Sequence, residues 1–451
     1  MPRIQQIHAR EVFDSRGRPT VEVEVTCAEG RPARAIVPSG ASTGTYEARE
    51  LRDSGELRLG GAGVRQAVNN IRHDIAAALL GRDAADQQAI DAELCALDGT
   101  PNKSRLGANA ALGVSLAVAY AAADALDLTP AQYFRQLWQQ VPPVKSDVVY
   151  TSRVPALEKS FRLPLPMVNM ISGGLHAGGN LDFQDFLVLP IGATTYTQAL
   201  DWIVTIYHRL GTLLGERGYE GTLVGDEGGY GPRLGSNSEA VDLLLEAIEQ
   251  AGYRPGDDVA IGLDVASSHF YKEGAYHLEA TGGSELSSDE MVDLLERWVE
   301  SYPIISIEDA LAEDDWEGWQ NLTNRLGDRV QLIGDDLFVT HPERLTRGIT
   351  SGAGNSILIK LNQIGTLWET LETMRLAVDS GFWPVISARS GESEDTTIAD
   401  LVVGTGIGQL KVGSVARSER LAKYNQLLRL EEQLADDAEY IGGRIFSSLL
   451  R

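Results

Sequence analysis

The sequence predicts an α/β protein in two parts, a small N-terminal α+β domain and a TIM-like (β/α)8 barrel, and three observations predict it. Residues 1–137 read as strands followed by helices. From residue 167 to 451 short apolar runs alternate with amphipathic stretches, the pattern of βα units. Those apolar runs also share one ending, a charged residue.

Length and composition agree with this division. At 451 residues the chain exceeds what one hydrophobic core usually supports, so two domains are expected. With 43% hydrophobic and 23% charged residues and no low-complexity tract, it belongs with folded globular proteins. Lys plus Arg number 39 and Asp plus Glu 64, a net charge of −25, which repels phosphate backbones and makes nucleic acid an unsuitable partner. The acidic surplus also supplies carboxylates for hard cations. Cys27 and Cys95 are far apart and lack CxxC spacing, so neither a disulfide framework nor a zinc site is expected. The N-terminus MPRIQQIHAREVF carries charges where a signal peptide needs an apolar run, so the expected location is cytoplasmic. The uncharged stretch Leu106 to Ala123 approaches membrane length but is rich in Ala and broken by Gly107, Asn109 and Gly113. It reads as a core helix, and no membrane partner is expected.

In chain order, VEVEV (residues 21–25) alternates with period two behind the turn residues of DSRGRP, which predicts a strand. Residues 62–137 turn helical. Residues 138–166 hold several prolines without periodicity and read as an extended linker at the domain boundary. In the second domain AIGLD stops at Asp264, IISIE at Glu308, VQLIGD at Asp335, SILIK at Lys360, PVISAR at Arg389 and GQLK at Lys411. A barrel carries its chemistry on the face where its strands end, so these six side chains are expected to converge.

Asp264, Glu308 and Asp335 offer the oxygen ligands that magnesium prefers. Lys360 and Lys411 face the same mouth. One of them is expected to be a neutral general base, its pKa lowered by nearby positive charge, and the other to hold an anionic substrate. Arg389 followed by Ser390 suits a phosphate. A base, a metal and an anion site together describe proton abstraction beside a carboxylate, with the metal stabilising the enediolate. Glu227, in the loop VGDEGGYGP (224–232), is the candidate acid for the leaving group, protonated through desolvation, although DEGG alone is a weak motif. The glycine-rich loops SGASTGTYEA (39–48) and SGGLHAGGN (172–180) have the composition of lids; Ser39 lies in the first and His176 in the second.

Together, SGASTGTYEARELRD, DGTPNKSRLGANAALGVSLA, VGDEGGYGP, LDVASSHFY, SIEDALAEDDW, GDDLFVT, IKLNQIGTL, RSGESEDT and ARSERLAKYNQLL resemble the enolase family across nearly the whole chain. That resemblance implies a barrel of enolase type whose first strands depart from simple βα alternation, homodimers or octamers, and two magnesium ions per site. Carried over by position, Asp264, Glu308 and Asp335 look like ligands of the first magnesium and Ser39 like the loop ligand of the second. Lys360 would abstract the α-proton, Glu227 would assist departure of the hydroxyl, Lys411 would bind the substrate carboxylate, Arg389 and Ser390 the phosphate, and His176 would sit in a closing loop.

Two positions depart from the family pattern. Asp185 stands where enolases carry a glutamate, and Ala388 where they carry a histidine. A methyl in place of an imidazole beside Arg389 opens volume next to the phosphate. The expected reaction is therefore loss of water from a 2-phosphoglycerate-like substrate to give an enolpyruvate ester, with the phosphorus group enlarged. This is similar in kind to the carboxyphosphonoenolpyruvate synthases of phosphinothricin-type antibiotic pathways, which act on a phosphonylated glycerate. A glycolytic enolase with drifted residues and a noncatalytic enolase scaffold are the alternatives.

Overall fold

The computed structural model describes residues 1–40, 44–55, 57–144, 152–280 and 282–449. The N-terminal part is a three-stranded antiparallel meander, β1 (Ile4–Phe13), β2 (Pro19–Cys27) and β3 (Ala33–Ile36), covered by helices. The VEVEV run lies in β2, as its alternation requires. The turn before it is fixed by Asp14, whose carboxylate accepts from the N–H groups of Arg16 (2.8 Å) and Arg18 (2.9 Å). The helix Ala108–Ala125 packs on this sheet so closely that a Cβ at Gly113 would lie 2.7 Å from Val23. Among the described residues it is the one helix long and apolar enough to cross a membrane, and 83% of it lies buried inside the fold.

The second part is a closed eight-stranded barrel: β4 (Leu165–Ser172), β5 (Asp185–Leu189), β6 (Ala260–Asp264), β7 (Ile304–Glu308), β8 (Gln331–Gly334), β9 (Ser356–Ile359), β10 (Trp383–Ser387) and β11 (Gln409–Gly413). From β6 to β11 neighbouring strands are parallel, and β11 pairs in parallel with β4 to shut the ring. β5 runs antiparallel to both β4 and β6. The cause is local: residues 173–184 contain only a single 3-10 turn, and a parallel connection needs a helical crossover. Two helices, Tyr196–Glu216 and Asn237–Gln250, then follow β5 in tandem.

The interval 138–166 contains the end of the helix Pro130–Gln140, a short strand Phe161–Leu163 paired with Ala438–Tyr440, and the start of β4. Residues 145–151 of it lie outside the described residues. Its later part closes the barrel floor. Arg153 stacks 4.6 Å over the buried Trp383 ring and accepts its indole N–H at 3.1 Å, while Val154 packs with Leu165, Leu189, Ile445 and Phe446 in a separate apolar cluster. Arg162, itself buried, ties this layer together through Glu439 at 2.8 Å and the carbonyl of Gly406 at 2.9 Å.

Candidate active site

At the opposite end of the barrel the charged side chains converge. Asp264 and Glu308 are the last residues of β6 and β7, while Asp335 and Lys360 directly follow β8 and β9. Arg389 lies two residues past β10, and Lys411 sits inside β11 rather than at its end. Lys411 Nζ donates to Asp264 Oδ2 at 2.8 Å and to Glu308 Oε2 at 2.7 Å, and Lys360 Nζ donates to Asp335 Oδ2. Two amides complete this wall: Gln184 donates to Asp264 (3.2 Å) and Gln363 to Asp335 (3.0 Å). Asp309 orients Asp335 from behind, its carboxylate accepting the N–H groups of residues 335 and 336 at 2.8 and 2.9 Å.

Burial pushes each of these carboxyls upward, but Lys411 outweighs it at Asp264 and Lys360 at Asp335, so both are held below the usual carboxylate range. Glu308 goes the other way, raised by burial and by the charge of Asp264. The sequence expectation is one neutral lysine; the carboxylate partners in this structure favour the charged form of both. Burial lowers both amines, yet Asp335 holds Lys360 charged and Asp264 with Glu308 holds Lys411 charged. The determining neighbour of each amine is a carboxylate.

Asp264, Glu308 and Asp335 are buried oxygen donors with no sulfur among them, a chemistry suited to a hard divalent cation such as magnesium, and Asp335 also shares a group with Asp309 and Asp336 whose carboxylate oxygens lie within 4.8 Å of one another. Gln184 Oε1, buried without a hydrogen-bond partner, adds an oxygen of the same kind beside Asp264. Ser39, expected as a loop ligand of a second cation, is engaged elsewhere in this structure. Its hydroxyl donates to Asp14 Oδ2 (2.7 Å) and accepts from Arg16 Nη2 (3.2 Å), and the same guanidinium nitrogen lies 3.2 Å from its carbonyl. In this arrangement Ser39 braces the domain interface. Its backbone bridges Gly391 in both directions. The other serine of the loop, Ser42, lies outside the described residues.

A second wall comprises His176, Asp185 and Glu227, whose ligand atoms lie within 4.8 Å of one another. Asp185 is fully enclosed and accepts from His176 Nδ1 (3.0 Å), Ser172 Oγ (3.3 Å) and Asn169 Nδ2. The Glu227 loop is shaped by Gly228, whose φ of +88° and close approach to the carbonyl of Ala416 (2.6 Å from an added Cβ) exclude a side chain. Glu227 is expected from the sequence to be protonated; here burial raises it, but His176, Arg420, Lys411 and Lys360 together hold it below the usual carboxylate range. The neighbouring pair is shifted in the direction that favours holding a proton. Burial opposes charge on His176, yet Asp185 and Glu227 raise it to about 9, while burial pushes Asp185 up to about 6 against the pull of His176.

This pair gives a pH signature. The ordinary imidazole value of 6.5 is raised to about 9, so the stabilisation from His176 is complete below pH 6.5 and lost as pH rises through 9. The native protein is expected to lose up to about 3 kcal/mol across that window, and His176→Gln to show a flatter profile there, as read from urea unfolding at a series of pH values.

The third wall holds Arg389, Ser390 and Ala388. Arg389 donates from Nη1 to Glu47 Oε2 (3.0 Å) and Asn362 Oδ1 (2.8 Å), and from Nη2 to Glu47 Oε1 (3.3 Å). Ser390 Oγ accepts from Arg16 Nη1 at 3.4 Å. Ala388 directly precedes Arg389 in the chain, is 5% exposed, carries only a methyl and belongs to the main apolar core cluster. Behind this wall the buried Arg420 donates to the carbonyls of Arg389 (2.6 Å), Ser390 (2.6 Å) and Val412 (2.9 Å). Sequence reading missed Arg420, Gln184, Gln363 and Glu47. A signal existed for the first: the buried stripe Arg420, Lys423, Tyr424, Leu427 of the helix Ser418–Leu434 carries two cations where only apolar residues are expected.

Comparison with known families agrees with this architecture. Residues 4–134 match the family model described as the enolase N-terminal domain, and residues 160–449 match that of the enolase C-terminal TIM barrel domain. With both halves matched in order across a barrel of this topology, the chain belongs to the enolase family.

Proposed function

We propose that the protein is a magnesium-dependent hydro-lyase that removes water from a glycerate ester bearing a phosphorus group at its 2-oxygen. This reading is supported by the ion pairs that Lys360 makes with Asp335 and Lys411 with Asp264 and Glu308 at the strand ends, together with the group His176, Asp185 and Glu227, whose ligand atoms lie within 4.8 Å of one another. When bound by Asp264, Glu308 and Asp335, magnesium supplies the charge that stabilises the enediolate formed on the substrate carboxylate.

Lys360 is the base. Its ammonium first gives up a proton to solvent, a loss that a cation held by Asp335 would favour, and the neutral amine then takes the proton from the carbon next to the substrate carboxylate. Lys411, fixed between β6 and β7 by two ion pairs, keeps a positive charge for that carboxylate. The electron pair left on carbon then expels the hydroxyl from its neighbour, and the hydroxyl leaves as water with a proton from the His176 and Asp185 pair, delivered by way of Glu227. Arg389 and Ser390 hold the phosphorus group.

For the substrate itself, Ala388 favours a phosphorus group larger than phosphate. The side chain next to Arg389 is a methyl, and the neighbouring proton-transfer residues do not depend on it. Glycerate esterified with phosphonoformate, in which a carboxylate replaces one phosphate oxygen, meets this description and undergoes the same elimination. Purified protein with magnesium is expected to turn over this carboxyphosphono substrate at least about tenfold faster, in kcat/KM, than 2-phosphoglycerate, followed by the ultraviolet absorbance of the enol product. Faster turnover of 2-phosphoglycerate would reject the enlarged group and leave an ordinary enolase.

A further inference from the structure

We propose that Glu47 is a positioning residue: it sets Arg389 for the phosphorus group and makes that anion site depend on the seating of the first-domain loop over residues 44–48. The inference rests on the reading above that Arg389 binds this group. Glu47 belongs to the N-terminal domain and Arg389 to the barrel, so their ion pair is made only when the loop is docked. The pair is dry, with 7% of the Glu47 side chain and 3% of the Arg389 side chain exposed, and it is doubled, Oε2 and Oε1 meeting Nη1 and Nη2. A two-point contact between a carboxylate and a guanidinium fixes the plane of the guanidinium as well as its place.

The remaining contacts of Glu47 reach both the loop and the cation wall. Oε1 accepts from the N–H of Gly44 at 3.0 Å, which closes the loop on itself, and from Gln363 Nε2 at 3.3 Å. Gln363 Nε2 also donates to Asp335 Oδ1 at 3.0 Å, and the N–H of Ala48 donates to the Gln363 carbonyl at 2.8 Å. One carboxylate thus touches the loop backbone, the anion-binding arginine and the amide that steadies a cation ligand. Neighbouring loop residues dock on the barrel rim: Thr45 donates to Glu313 at 2.9 Å, and Tyr46 lies under the Arg344 guanidinium at 4.0 Å.

The test uses the full chain and two probes, inorganic phosphate and phosphonoformate, titrated in the presence of magnesium and followed by phosphorus NMR. Glu47→Gln keeps the shape and removes the charge, and is expected to weaken binding of both probes by about tenfold or more. Glu47→Asp, with the charge on a shorter arm, is expected to recover part of that loss. Combining Glu47→Gln with Arg389→Ala is expected to cost no more than Arg389→Ala alone, because the two residues act as one unit. Unchanged or tighter binding by Glu47→Gln would overturn the proposal, since the carboxylate would then be a bystander or a competitor of the ligand. Losses that add in the double variant would overturn it as well. If Arg389→Ala alone leaves binding intact, the anion site itself is elsewhere, and the reading it rests on falls with it.

Discussion

Lys360→Ala is expected to slow magnesium-dependent elimination by about 10²- to 10⁴-fold while leaving the fold intact. The amine is the group placed to take a proton, and no second amine is available to substitute. Lys411 is fixed between Asp264 and Glu308 and cannot leave that position without exposing two buried carboxylates to each other. The same substitution also has a stability signature. It leaves Asp335 buried without its ion-pair partner, so the variant is expected to melt below the native protein in chelator and to recover most of the difference when magnesium is added. Enol absorbance gives the rate and thermal unfolding with and without magnesium gives the second readout. Undiminished elimination by the variant would remove Lys360 from the mechanism. A complete absence of elimination in the native protein, with every substrate and with magnesium present, would favour the noncatalytic scaffold.

Asp264→Asn is expected to lower magnesium affinity by about 100-fold or more. One of three carboxylates becomes an amide, and the loss of charge propagates. Lys411 then has Glu308 as its sole anionic partner among the contacts described, and Gln184 donates to a neutral oxygen. Calorimetric titration with magnesium checks this, with His176→Gln as a control because His176 stands outside the oxygen set. An unchanged magnesium affinity in Asp264→Asn would place the cation somewhere other than the strand ends.

The parts of this site that were legible in the sequence are those where a charge interrupts an apolar run. Asp264, Glu308, Asp335 and Lys360 each stand at the end of a buried strand, where burial leaves a charge no reason to exist except the mouth of the barrel. Lys411 was legible for the same reason, although it lies inside β11 and reaches the mouth by its long side chain. What stayed hidden was relational. Which carboxylate each lysine faces depends on strand order around the ring, so the charge states of Lys360 and Glu227 could not be read from residue types alone. Ser39 illustrates the same limit. A serine in a glycine-rich loop looks available, and only the fold shows Asp14 and Arg16 already using its oxygens. The neutral amides Gln184 and Gln363 and the interdomain Glu47 carry no pattern of their own, since polar residues in loops are common everywhere.

The seam between β4 and β11 has a consequence for how the molecule is made. β4 and β11 are neighbours in the ring although every other strand of the barrel lies between them in sequence, so the ring shuts only when its first and last strands are both available. Until then the nascent sheet has two raw margins, each a row of unsatisfied amides and carbonyls that another polypeptide could zip onto. Closing the ring is therefore the least local step of folding, and it is the step that removes both margins at once.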